Sequence, residues 1–173
     1  ANKAAALQAQ NNLIDALEAA ETALQLSPDH ADGHWNRGIS RLISGDFTGG
    51  LADYEWRWQL PEFKTRQFNA PQLANLGEID EKTVLIHSEQ GYGDTIQFIR
   101  YVHLLADHNP QEILLETHEP LKPLMAALPA IAQVYLRGET LPSIDAHIPI
   151  MSLPHLFGTT LEKIPAKTPY LTA

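Results

Sequence analysis

The chain has 173 residues, 44% hydrophobic and 19% charged, a composition that supports a packed core and excludes a disordered polypeptide. Its formal net charge of −9 excludes a broadly basic surface, and with it nonspecific binding to nucleic acid or to anionic membranes. With no cysteine there is neither a disulfide framework nor a thiolate metal site, and no apolar run approaches the roughly 18 residues of a membrane span. Eight histidines without ligand spacing predict no metal, and the lack of cysteine agrees with a reducing, cytoplasmic compartment. The chain opens in mid-helix, which predicts a piece excised from a longer protein.

Residues 4–26 are rich in Ala, Leu, Glu and Gln and predict one helix, with Ala16, Leu17, Ala20, Ala23 and Leu24 along one face. Ser27-Pro28 halts it, and Asp29 or His30 caps a second helix through HWNRGISRLIS. Gly45-Asp46 breaks that helix, and FTGGLADYEWRWQL forms a third. Gly38 and Gly50 let the paired helices approach closely, Tyr54 fills the gap between them, and Trp35, Trp56 and Trp58 read as packing residues. The stretch Ala31–Pro61 resembles a tetratricopeptide repeat, with Ala16, Ala20, Ala23 and Pro28 in register with the second helix of a preceding copy. Arg57 stands where that repeat usually has a small residue, as expected of a terminal copy. The first 60 residues therefore predict a tetratricopeptide-like helical array.

Residues 61–81 contain Pro61 and Pro71 and no clean periodicity, and predict a connecting segment packed on a surface. Phe63, Phe68 and Leu73 are its expected anchors, and Lys64 and Arg66 place local positive charge in a solvated loop.

From residue 82 to 173 the pattern changes. TVLIHSE, EILLETH, AQVYLR and DAHIPI have strand length and composition, while TIQFIRYVHLLADH, PLKPLMAAL and SLPHLFG read as helices. Alternating strands and helices predict an α/β domain with a parallel, Rossmann-like sheet of about four strands, joined by right-handed crossovers. The near-continuous apolar strands agree, because strands buried on both faces do not alternate.

Ligands of open parallel sheets bind at the carboxyl ends of the strands, where the loop Glu89–Thr95 follows the first strand. Gly91 and Gly93 leave room for backbone amides to approach a ligand. Asp94 and Thr95 start the helix, where they either cap free amides or face the ligand. Gln97 and Arg100 follow one and two turns later; Arg100 either reaches a phosphate or pairs with Glu89. His87 reads as a core histidine, and His147, near the end of the fourth strand, as a candidate cleft residue. Gly91-x-Gly93 supplies two glycines of a dinucleotide fingerprint, but Ile96 occupies the third position, and Glu116 and Glu119 straddle the expected acidic position, so this reading ranks lower.

The block VLIHSEQGYGDTIQFIRYVHLLAD resembles the opening strand-loop-helix of tetratricopeptide proteins that carry a glycosyltransferase-like domain. More distantly it is similar to the lipopolysaccharide heptosyltransferases. DAHIPIMSLPHLFGTTLEKIPAKTPYL resembles the end of the same domain. The resemblance implies a GT-B architecture, with residues 82–173 as its N-terminal, acceptor-side half. It also implies Asp94 as the general base, with Gln90, Gly91, Tyr92, Gly93, Thr95, Gln97, Arg100 and His147 as the substrate-facing set. No metal and no cofactor are implied. A nucleotide-sugar donor would need a second domain, so the chain is expected to be inactive alone, while its helices present a protein or glycan acceptor. The alternative is a non-enzymatic scaffold whose helices bind a protein and whose α/β domain is degenerate.

Overall fold

The computed structural model describes residues 2–63 and 67–172. Lys64 and Arg66, expected in a solvated loop, lie outside the described residues. The chain forms two compact units, Ala1–Arg66 with Gly158–Ile164, and Gln67–Phe157 with Pro165–Ala173. The division after Arg66 falls inside the connecting segment expected over 61–81, and the short stretch at 158–164 returns to the helical unit.

The first unit contains α1 (Asn2–Ala9), α2 (Leu13–Leu26), α3 (Ala31–Ile43) and α4 (Phe47–Tyr54), the last continuing as a 3₁₀ turn over Glu55–Gln59. The single helix expected over 4–26 is in fact two. Asn11 adopts a left-handed conformation (φ 57°), and the Asn12 side chain caps α2 by accepting from the Asp15 amide. Asparagine tolerates that conformation and competes for backbone amides, which outweighs the helical propensity of its neighbours. His30 caps α3, its Nδ1 accepting from the Gly33 amide at 3.0 Å. Gly45, at φ 88°, reverses the chain, and Asp46 caps α4 through the Gly49 amide at 2.9 Å.

Helices α3 and α4 meet at their glycines. A Cβ on Gly50 would lie 2.8 Å from Leu42 Cγ and 3.0 Å from the Leu42 backbone nitrogen, and one on Gly38 would lie 3.1 Å from the Tyr54 nitrogen. No larger residue fits without moving backbone. Beside this contact the Asp53 carboxylate, only 4% exposed, accepts from Arg37 Nε and Nη2 (both 2.7 Å) and Arg41 Nη1 (2.8 Å), and pairs with His34 Nδ1 (2.9 Å). Burial pushes its pKa up. The Arg37 and His34 hydrogen bonds and the charges of Arg37 and Arg41 overcome that and hold it below the ordinary carboxylate value.

The aromatic residues pack inside this unit as the sequence predicted. Trp56 stacks on His34 at 3.8 Å, and Trp35 lies against Tyr54 and Phe63 at 4.9 and 4.8 Å. The Arg57 side chain is fully buried, with its guanidinium over the Trp58 ring at 4.1 Å and the Tyr54 ring at 4.8 Å and a bond to Glu55 at 2.7 Å. Two ring faces and a carboxylate supply what a buried cation needs in place of water.

The second unit is a four-stranded, fully parallel sheet: β1 (Thr83–His87), β2 (Glu112–Thr117), β3 (Gln133–Leu136) and β4 (Ala146–Pro149), in the order β3-β2-β1-β4. Its helices are α5 (Tyr92–Phe98) and α6 (Val102–Ala106), joined by a 3₁₀ turn at Ile99–Tyr101, then α7 (Lys122–Ala126) and α8 (Leu153–Leu156). On one sheet face Val84, Ile86, Ile113, Leu115, Val134 and Ile148 form a core with Ile99, Val102, Leu105, Leu121 and Met125. Strand alternation puts Leu85, His87, Leu114, Glu116 and His147 on the other face. Leu85 and Leu114 are nevertheless buried, so both faces are covered, as the unalternating strands required. The outer edge of β4 is covered by residues 71–73: His147 donates its amide to the Pro71 carbonyl (3.0 Å), and the Leu73 amide donates to the His147 carbonyl (2.9 Å).

Candidate functional site

The strand order decides where a ligand can sit. From β1 the chain steps outward to β2 and β3, then crosses back to place β4 on the other side of β1. Loops leaving β1 and β4 therefore diverge in opposite directions at this switch point, the usual ligand position in such sheets. Ser88–Gly91, leading into α5, forms one wall of that position, and Ile150–Ser152, after β4, forms the other. The Glu89 carboxylate links them by accepting from the Met151 amide at 2.9 Å.

The base of the β1 loop is rigid. Buried Thr95 donates to Ser88 Oγ at 2.9 Å, and Ser88 donates to Thr117 Oγ1 at 3.0 Å. From beyond β3, Arg137 Nη2 reaches the carbonyls of Ser88 (2.6 Å) and Glu89 (2.8 Å). These carbonyls lie past the last rung of the β1 ladder, so the guanidinium satisfies groups that the sheet leaves over.

Of the residues expected at the site, Gln90, Gly91, Tyr92, Gly93 and Gln97 are exposed on the loop and first turns of α5. A Cβ on Gly93 would meet nothing within 4 Å, so packing does not demand glycine there. Asp94 is half-buried, and its Oδ2 accepts from the Gly91 amide at 2.8 Å, closing the first turn of α5 as a cap. The two roles left open for Asp94 are compatible, since one oxygen caps and Oδ1 has no partner among the described residues.

Three expected residues lie elsewhere. Thr95 is fully buried in the hydroxyl chain, where it positions the loop and touches no ligand space. Arg100 neither faces the loop nor pairs with Glu89; its guanidinium lies 4.4 Å over the Tyr170 ring, and the Tyr170 hydroxyl donates to the Ile96 carbonyl at 3.1 Å. His147 is the second residue of β4, below the rim. Its Nδ1 is 3.2 Å from His87 Nε2, and the Phe68 ring packs on both imidazoles at 4.7 and 4.8 Å. Burial pushes the His147 pKa down. His87 is 3% exposed, in keeping with a core histidine, and Phe68 and Leu73 anchor their segment as expected.

Sequence reading missed Arg137, and it weighed His118 only as a metal ligand. Both directly follow strands, at the position where parallel sheets carry function, and that signal was available in AQVYLR and EILLETH. Among the described residues no group of three His, Asp or Glu side chains is arranged to hold a metal. Among the described residues no helix is long and apolar enough to cross a membrane. Comparison with known proteins finds no matching family model, curated protein or solved structure.

Proposed function

We propose that the α/β unit is the acceptor-side half of a GT-B glycosyltransferase related to the heptosyltransferases, and that the preceding helices are tetratricopeptide repeats that present a protein or glycan acceptor. One observation carries the reading: the Asp94 carboxylate, in the first turn of α5, stands beside the Gly91–Gly93 turn at the carboxyl end of β1, where the strand order reverses. Asp94 Oδ1 is the general base, taking the acceptor hydroxyl proton as the glycosidic bond forms, while Oδ2 holds the side chain in place through Gly91. In a GT-B enzyme the nucleotide-sugar is held mainly by the second Rossmann-like domain, and residues 82–173 are read as the acceptor side alone. The close approach of α3 and α4 at Gly38 and Gly50, with Tyr54 between helices, supports the repeat reading.

The test assays the full-length protein with a panel of nucleotide-sugars. Asp94→Asn keeps an oxygen to cap Gly91 but cannot accept a proton. It should lose about 10²- to 10⁴-fold in turnover with little change in stability. Unchanged turnover removes Asp94 as the base.

A second reading is a non-enzymatic scaffold, favoured by Asp94 being a helix cap and by Arg100 being held on Tyr170. It predicts partner capture that depends on α2–α4 and is indifferent to Asp94.

A further inference from the structure

We propose that Tyr92, His118 and Arg137 form a binding site for a phosphate group at the carboxyl rim of β1, β2 and β3. The inference does not depend on sugar transfer, and its two new residues, His118 and Arg137, follow β2 and β3, on the opposite side of β1 from β4.

Tyr92 and His118 pack on each other, Arg137 holds the loop that leads to Tyr92, and none of the three spends a polar group on another. Tyr92, 51% exposed, sets its ring edge-on to His118, with centroids 5.0 Å apart at 68°. The Tyr92 hydroxyl has no partner among the described residues. His118 follows β2 directly and is half-buried, yet neither ring nitrogen has a hydrogen-bond partner among the described residues, and Nδ1 is sealed from solvent. An N–H buried at Nδ1 would go unsatisfied, so the proton belongs on Nε2, on the open edge of the ring, where it is a donor. Arg137 spends Nη2 on the Ser88 and Glu89 carbonyls, and its remaining N–H groups have no acceptor among the described residues.

Tyr92 and Arg137 are exposed, so water serves their donors in the free protein, and one anion at this rim can accept from all three side chains at once. A hydroxyl, an imidazole N–H and a guanidinium edge match the three terminal oxygens of a phosphate. A phosphate presents more charge and more acceptor oxygens than a carboxylate, and so suits three donors better. Burial, and then the Arg137 charge, pushes the His118 pKa down, so the imidazole meets an anion as a neutral donor. The neighbouring Lys122 is paired with Glu139 at 3.7 Å and adds no net charge. Arg137 also fixes the β1 loop through two carbonyls, so phosphate binding would stiffen the loop that leads to Asp94.

The experiment follows the His118 imidazole by long-range ¹H–¹⁵N correlation in this chain. Inorganic phosphate is compared with chloride and with acetate at matched ionic strength and pH. Saturable shifts of the His118 signals with phosphate alone are expected, together with a rise in the His118 titration midpoint. Tyr92→Phe should weaken phosphate binding about three- to tenfold, and Arg137→Gln at least tenfold. Should Arg137→Gln fail to fold, Tyr92→Phe, altered at an exposed hydroxyl, still decides the matter. Equal responses to phosphate and chloride would overturn the proposal and leave Arg137 as a loop fastener. Equal responses to phosphate and acetate would overturn the assignment to phosphate.

Discussion

Replacing Asp53 by Asn removes one charge at the centre of the first unit and leaves Arg37, Arg41 and His34 around an amide. The amide nitrogen would then face cationic donors, so at least one strong bond is lost and a repulsion appears. Breaking a fully sealed ion pair from one side costs roughly 3–5 kcal/mol. Here the Arg37 and Arg41 side chains are 20% and 25% exposed, and water reclaims part of their charge. We therefore expect a loss of about 2–3 kcal/mol. All three tryptophans, Trp35, Trp56 and Trp58, lie in this unit, so fluorescence during urea unfolding reports it selectively. With a slope of about 1 kcal/mol/M for a unit this small, the midpoint should fall by about 2 M. The effect must also depend on pH in a defined sense. Because the folded pKa of Asp53 is depressed, its contribution is complete above the ordinary carboxylate value and disappears as pH falls through the lower folded value. The difference between wild type and Asp53→Asn should therefore shrink in that acid range. A midpoint change below about 0.5 M at pH 7, or a difference that grows on acidification, would refute the account.

Gly50→Ala, with its new methyl 2.8 Å from Leu42 Cγ and 3.0 Å from backbone, should destabilise the same unit by about 1–3 kcal/mol in the same fluorescence assay. Ser88→Ala breaks the hydroxyl chain between Thr95 and Thr117 and should cost about 1–3 kcal/mol, read from circular dichroism of urea-unfolded samples. The lowered pKa of His147 means that the unfolded chain takes up a proton the folded chain refuses. Stability should fall as pH drops below the ordinary histidine value toward the folded one, and His147→Gln should flatten that stretch of the stability–pH curve.

Much of the fold was readable because its signals are local. Gly45-Asp46 marked a turn and a cap, and both stand there, since a left-handed glycine and a capping carboxylate need only their immediate neighbours. All four strands lie within the segments read as strands, because each carries its own apolar run. The helix over 4–26 was misread where two asparagines outweighed an alanine-rich surround. The exposure of Gln90 to Gly93 and Gln97 at a strand's carboxyl end was legible from glycine and position. The places of Thr95, Arg100 and His147 were not, because they depend on residues far along the chain: Thr117 through the Ser88 hydroxyl, Tyr170 and His87.

The sequence by itself determined the element types, the alternation that makes a parallel sheet, and the loop that carries Asp94. Those follow from propensity and periodicity within a few residues. Tertiary structure alone decided that β4 joins on the far side of β1 and so makes a switch point there. It also decided that Arg137 reaches the Ser88 carbonyl 49 positions back along the chain, and that neither His118 nitrogen has a partner among the described residues. Such pairings come from packing whole elements against one another, and no local pattern encodes them.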